Sequence, residues 1–312
     1  MTAKTKQHQK TEEWHNYDYV DSSIWNDFRF RDGDIIIATY PKSGTTWMQQ
    51  IVSQLLFQGQ EGLDIPKLSP WVESPIISKE IRLKNLEAQT HRRFLKSHLP
   101  PDSLSFSSRS KYIYVAREGK DVIWSFYHYN CLITDKWSET FKMMNKTPCR
   151  VGIVRKPTIS FRDYFHQWLD LDGYPILSYW NHIRSGWNIR GLPNVLLVHF
   201  NLLKQDLPGQ VKRIAAFLDI SIKPENWERI LEHCSFSYMK QNAELLAPFN
   251  GTFLEGGANV FFRKGEKSQW RNVLTSEDLD KYEQIARTQL EQDCFHWLNT
   301  GQLDCEFNET IV

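Results

Sequence analysis

The sequence predicts a single α/β domain, with a mainly parallel central sheet flanked by helices on both faces. Three observations lead there. Short β-branched apolar runs, of which Asp34–Thr39 (DIIIAT) is the clearest, alternate with segments of helical period, as in a sheet buried on both faces. The 312 residues, 41% of them hydrophobic, suffice for one large core. No repeat, low-complexity tract or long linker divides the chain.

The elements follow in order. Residues 1–20 are polar and are expected to form a flexible N-terminal arm, leaving 21–312 as the domain. Ile35–Thr39 is the first strand. Pro41 and Gly44 break it, and Met48, Ile51, Val52, Leu55 and Leu56 then recur at helical spacing, so a helix is expected over Thr46–Phe57. Gly62–Ser78, with its prolines and Trp71, reads as a long loop. Arg93–Lys96 and Tyr112–Ala116 are the next strands, the latter followed by a helical stretch after Arg117. Asn130–Pro157 lacks a period and reads as a second long loop; ordered loops of such length are often lids or binding loops. Helices are expected at Ser160–Leu169, Tyr179–Trp187, Gln210–Leu218, Pro224–His233 and Ser276–Leu290, and a fourth strand at Val195–His199.

Composition narrows the function classes. A net charge of +1 gives no global attraction to nucleic acid, so any anion site is local. Cys131, Cys149, Cys234, Cys294 and Cys305 form no C-x-x-C pair and are odd in number, a poor disulfide framework. No stretch approaches the length of a membrane span, and the N-terminus has no apolar leader. A soluble cytoplasmic protein without membrane or nucleic-acid partners is expected. No metal site is expected either: there is no H-E-x-x-H and no Cys/His cluster.

Four segments carry chemistry. Thr39–Trp47 reads TYPKSGTTW: strand, small polar loop with a lysine, then helix. That layout aims backbone N–H groups and a helix N-terminus at one anion. It is not a Walker A loop, because Lys42 precedes Gly44 and the first glycine is missing. Arg93–Pro100 (RFLKSHLP) puts Lys96 and His98 at a strand's carboxyl end, where ligands of parallel sheets bind; histidine can take a proton near neutral pH. Tyr112–Tyr129 places Arg117, a planar fork suited to phosphate, at another strand end, with Ser125 on the following helix. Phe261–Asn272 contains the basic turn Arg263-Lys264-Gly265 ahead of Trp270.

Together these strings resemble the cytosolic-type sulfotransferases, over residues 20–290. PKSGTTW is similar to that family's 5′-phosphosulfate loop, K-S-H-L-P to the segment carrying its catalytic base, and V-A-R-x-x-x-D-V-x-x-S with R-K-G-x-x-x-x-W to its 3′-phosphate site. The resemblance implies 3′-phosphoadenosine 5′-phosphosulfate (PAPS) as donor, 3′-phosphoadenosine 5′-phosphate as product, and a small-molecule acceptor. It implies His98 as general base, Lys42 as the charge on the bridging oxygen and Lys96 as a holder of the sulfonate. Ser43, Gly44, Thr45 and Thr46 would cradle the 5′-phosphate. Arg117, Ser125, Arg263, Lys264 and Gly265 would fix the 3′-phosphate. Trp47 and Phe236 are the candidates against adenine, with Met239 beside them. The chain departs from vertebrate members at His199-Phe200-Asn201, where a Tyr-Glu-Asp segment is usual, so Phe200 would meet adenine without a hydroxyl. RNVLTSEDLD after Trp270 lacks the Thr-Val pair of the family's dimerisation motif, which leaves the oligomeric state open. Both departures resemble bacterial members. Trp71, Phe126, Tyr129, Trp137, Phe141 and Met143 are candidate walls of an apolar acceptor pocket, with sugar and peptide acceptors as alternatives. The residues leave two other classes open: a P-loop kinase-like phosphotransferase and a non-catalytic nucleotide-binding protein.

Overall fold

A computed structural model of the chain describes residues 10–13, 15–16, 20–74, 76–144, 156–173, 177–266 and 268–303, with 15–16 and 140–144 by backbone only. Its centre is a four-stranded, wholly parallel sheet: β1 (Ile35–Thr39), β2 (Phe94–Ser97), β3 (Lys111–Ala116) and β4 (Val195–His199), in the order β2-β1-β3-β4. The register sets Ile35 beside Phe94 and Lys111, and Ala116 beside His199.

Why these runs are strands is visible in where their side chains go. Ile35 and Ile37 enter one core with Phe94, Ile113, Val115 and Val198. Ile36 and Ala38 enter the other with Leu95, Tyr112, Tyr114 and Leu197. Alternate residues thus bury on opposite faces, the period of a strand covered on both sides. Helix α1 (Thr45–Leu56) packs Met48, Ile51, Val52 and Leu55 on the first face. The second face takes Phe126 of α2 (Gly119–Asn130), Phe165 and Trp168 of α3 (Phe161–Asp170), and Tyr179, Trp180 and Ile183 of α4 (Tyr179–Asn188). Helix α5 (Leu207–Phe217) covers the first face with Val211 and Ile214, and α6 (Ser276–Gln289) the second with Tyr282 and Ala286.

At the amino ends of the strands, Arg93 and Asp34 form a buried bidentate pair, Nε to Oδ1 at 2.8 Å and Nη2 to Oδ2 at 2.5 Å. Arg93 also donates to the carbonyl of Arg29, so the buried charge is satisfied on several sides. The two long segments are partly regular. Ile65–Leu68 is a short helix, and Trp71 bridges Lys96 in parallel, extending the sheet edge beyond β2. Asp135–Met144 is helical. Near the N-terminus, Thr11 and Glu12 donate backbone N–H groups to the Asp102 carbonyl, and His15–Asn16 pairs antiparallel with Val20–Asp21. Cys131, Cys234 and Cys294 are free thiols; Cys149 and Cys305 lie outside the described residues. Among those residues no helix is long and apolar enough to cross a membrane.

Candidate active site

Beyond the carboxyl ends of β1, β2 and β3 lies a cavity of about 320 Å³, where a parallel sheet presents its ligand site. The chain leaves β1 through a turn that holds Lys42 at φ 69° and Gly44 at φ 102°. Gly44 is required there twice over. A side chain is strained at that angle, and a Cβ would stand 2.7 Å from the Phe200 ring. Gly44 is also the N-cap of α1, so Gly44, Thr45 and Thr46 bring a helix start to the cavity wall.

His98 follows β2 and is held from two sides. Its Nδ1–H donates to the Thr39 carbonyl at 2.9 Å, with Thr39 Oγ1 at 3.3 Å. That bond fixes the tautomer and leaves Nε2 as the unprotonated ring nitrogen of a residue that lines the cavity. Thr39 Oγ1 lies 2.6 Å from Thr45 Oγ1, which links the histidine to the first residue of α1. Behind the backbone, buried Glu73 accepts from the His98 N–H.

Arg117 follows β3. Its Nη1 donates to the Lys42 carbonyl at 3.2 Å, and its guanidinium lies 4.3 Å from the Phe200 ring centroid. Its Nε is buried without a protein partner. Asp121, one turn into α2, accepts from the Ser268 N–H at 2.7 Å and from Trp270 Nε1 at 3.0 Å. Those bonds tie the basic turn to α2, beside Arg117. Arg263 donates to Gln269 Oε1 at 2.7 Å, which also accepts from Trp124 Nε1 at 3.1 Å. Gly265 packs under Phe236, and Lys204 donates to its carbonyl.

Six cationic side chains line the cavity (Lys42, Lys96, Arg117, Lys204, Arg263 and Lys264) against one carboxylate, Glu266, although the whole chain carries only +1. Burial, and then the charges of Arg117, Lys96 and Arg263, pushes the Lys42 ammonium down to about 7. Burial pushes Lys96 down to about 8, opposed by Glu73. Burial and the Lys96 charge hold His98 well below the ordinary imidazole range, against the Thr39 carbonyl, so it is neutral at pH 7. A cluster of like charges with few counter-charges is a site that an anion relieves. Aromatic faces hold two of the lysines meanwhile: Lys42 Nζ stands 4.0 Å from the Tyr129 ring centroid, and Lys96 Nζ stands 5.3 Å from that of Trp71.

The other half of the cavity is apolar. Trp71, Phe126, Tyr129 and Trp137 are joined by Ile76, Ile133, Phe249, Phe253, Phe261 and Phe262. The structure therefore brings most of the sequence candidates to one cavity: Lys42, Gly44, Thr45, Thr46, Trp47, Lys96, His98, Arg117, Ser125, Phe200, Phe236, Met239 and Arg263 to Gly265 all line it. Ser43 does not. Its hydroxyl is fully buried beneath the turn and has no partner. The side chains of Phe141 and Met143 lie outside the described residues. Sequence reasoning missed Lys204, although it sits one helical turn beyond Phe200 and so shares its face. It also missed Glu73, Thr39 and the Phe249–Phe262 wall. Among the described residues no group of three or more His, Cys, Asp or Glu is placed to hold a metal ion.

The Sulfotransferase domain family matches residues 32–293. A glycolipid sulfotransferase of Mycobacterium bovis (strain BCG / Pasteur 1173P2) is 28% identical, over 91% of this chain and 93% of its own. Sulfotransferase 2A1 of Macaca fascicularis is 32% identical, over 88% of this chain and 91% of its own. Among solved structures, mouse sulfotransferase SULT7A1 complexed with PAP shares the fold with a TM-score of 0.68, at 23% identity over 89% of this chain and 92% of that one.

Proposed function

We propose that this chain, which belongs to the sulfotransferase family, moves the sulfuryl group of PAPS to a hydroxyl or amine of a small apolar acceptor. One observation carries the reading. A single cavity joins a cluster of cations, a neutral histidine protonated at Nδ1 and not at Nε2, and an aromatic wall. The residues present fit the donor: Arg117 keeps a buried, unpartnered Nε, and the excess of cations asks for more than one anionic group. Lys42, Gly44, Thr45 and Thr46 would hold its 5′ end. Arg117, Ser125, Arg263, Lys264 and Gly265 would hold its 3′-phosphate, and Trp47, Phe200 and Phe236 offer flat faces to adenine. Bound there, the donor supplies the sulfuryl group and departs as 3′-phosphoadenosine 5′-phosphate.

The chain's own residues do the rest. His98 Nε2 takes the proton of the acceptor hydroxyl while the Thr39 carbonyl steadies the ring at Nδ1; a base of this kind contributes about 10²- to 10⁴-fold. Lys42 neutralises the oxygen that inherits the broken bond's electrons, and Lys96 holds the oxygens of the group in flight. Positioning and charge stabilisation carry most of the rate in such in-line transfers. The aromatic wall excludes water and takes a flat apolar acceptor. Calorimetric titration with 3′-phosphoadenosine 5′-phosphate, ADP and 5′-AMP tests the donor site: strong preference for the first is expected, and equal affinity for all three would remove the 3′-phosphate assignment. Turnover of PAPS with a flat phenol, an aliphatic alcohol and a glycolipid then ranks the acceptors, with the phenol expected first.

A further inference from the structure

We propose that Glu73 is the positioning residue that locks the base, the Lys96 strand end and the acceptor wall into one unit. Its side chain is fully buried, and one oxygen, Oε1, gathers three donors. Trp71 Nε1 donates to it at 2.8 Å, Ser97 Oγ at 2.9 Å, and the His98 backbone N–H as well. Trp71 is a wall of the cavity and its ring stands edge-on to His98, 5.2 Å between centroids. Val72 N–H donates to the Lys96 carbonyl and Lys96 N–H to the Pro70 carbonyl, so the segment that carries Glu73 runs alongside the strand that carries Lys96 and His98. The Glu73 carbonyl in turn accepts from Asp21 N–H. Glu73 itself does not line the cavity. It fixes where the indole, the imidazole and the lysine stand relative to one another. A buried acceptor with three converging donors is expensive to remove, because each donor would be left unpaired.

Oε2, by contrast, is buried without a partner, so the amide of glutamine can stand in that place while its carbonyl keeps all three bonds. Leucine matches the shape and keeps none. The experiment compares Glu73→Gln with Glu73→Leu, using PAPS and 2-naphthol as the probe pair and 3′-phosphoadenosine 5′-phosphate for binding. This inference rests on the sulfuryl-transfer reading. Glu73→Gln is expected to keep kcat and acceptor KM close to those of the unaltered protein. Glu73→Leu is expected to lose about 10- to 100-fold in kcat and to raise acceptor KM, as small misplacements of reacting groups do, with nucleotide affinity unchanged. Equal impairment of both variants, or none in Glu73→Leu, overturns the proposal.

A second readout needs no turnover. The Trp71 indole N–H, assigned in NMR spectra by its loss in Trp71→Phe, should exchange slowly with solvent in the unaltered protein and in Glu73→Gln. Fast exchange in the unaltered protein overturns the proposal even if Glu73→Leu does not fold. If the unaltered protein leaves 2-naphthol unreacted yet shows slow exchange, the acceptor reading fails and the positioning by Glu73 stands.

Discussion

Replacing Gly44 by alanine should damage both stability and nucleotide binding, and the structure gives the size of each part. The backbone at φ 102° charges any L side chain about 1–2 kcal/mol. The new Cβ would lie 2.7 Å from Phe200 Cδ2, where carbon contacts settle at about 3.5–4.0 Å, so the ring must retreat by about 1 Å. It has nowhere easy to go, because Arg117 stacks on it at 4.3 Å and Trp47 meets it edge-on at 5.5 Å. Overpacking of this kind adds about 1–3 kcal/mol. The sum corresponds to a fall in Tm of roughly 3–8 °C for a chain of this size. The retreating ring also carries Arg117 with it, so affinity for 3′-phosphoadenosine 5′-phosphate should fall together with Tm. Combining Gly44→Ala with Phe200→Ala removes the collision and keeps the backbone strain. The pair should therefore be more stable than the two single effects added together, by about 1–3 kcal/mol. Thermal unfolding and calorimetry on the three variants decide it. A Gly44→Ala shift within about 1 °C, or strict additivity in the double variant, would refute the reasoning.

Three further predictions follow from the same site. Lys42, at about 7, would hold the nucleotide's 5′-phosphate as an ammonium ion. Nucleotide affinity should therefore fall as pH rises from 7 to 9, with net proton uptake on binding at pH 8, measured by calorimetry in buffers of different ionisation heat; a flat profile would rule this out. His98→Asn should cut turnover by about 10²- to 10⁴-fold and leave nucleotide affinity intact. Because His98 is held well below its ordinary range, the acid limb of kcat/KM in the unaltered protein should lie clearly under pH 6.5. Asp121→Ala should free the turn that Ser268 and Trp270 anchor, weakening 3′-phosphoadenosine 5′-phosphate far more than 5′-AMP; equal weakening of the two would separate Asp121 from the 3′ site.

What the sequence revealed and what it hid have a common physical basis. Lys42, Lys96, His98 and Arg117 were legible because each stands within a few residues of the end of an apolar strand run, and parallel sheets gather such ends at one place. The strand limits themselves shift by a residue: Arg93–Lys96 becomes Phe94–Ser97 and Tyr112–Ala116 becomes Lys111–Ala116, since the ladder rather than hydrophobicity decides where pairing stops. Glu73 was hidden because it reaches His98 across 25 positions of sequence, from a segment with no period. Trp71 looked like loop because a single parallel bridge to Lys96 leaves no pattern. Phe249, Phe253 and Phe261 come from one-turn helices and the loop between them, too short to show a period, and meet at the cavity they line.

The clasp between Arg93 and Asp34 sits at the far end of the sheet from this chemistry, roughly 16 Å along a five-residue strand. It nevertheless bears on the position of the cavity residues, through the register of the strand. If β2 were to slide by one residue against β1, both buried charges would lose their partner, a penalty several times that of a surface ion pair, and every side chain of the strand would turn to the opposite face. Lys96 would then point where Leu95 or Ser97 now points, and the lysine would leave the cavity wall. A slip in register would thus be penalised at the amino end of the strand, where the buried pair is, before it displaced a cavity residue at the other end.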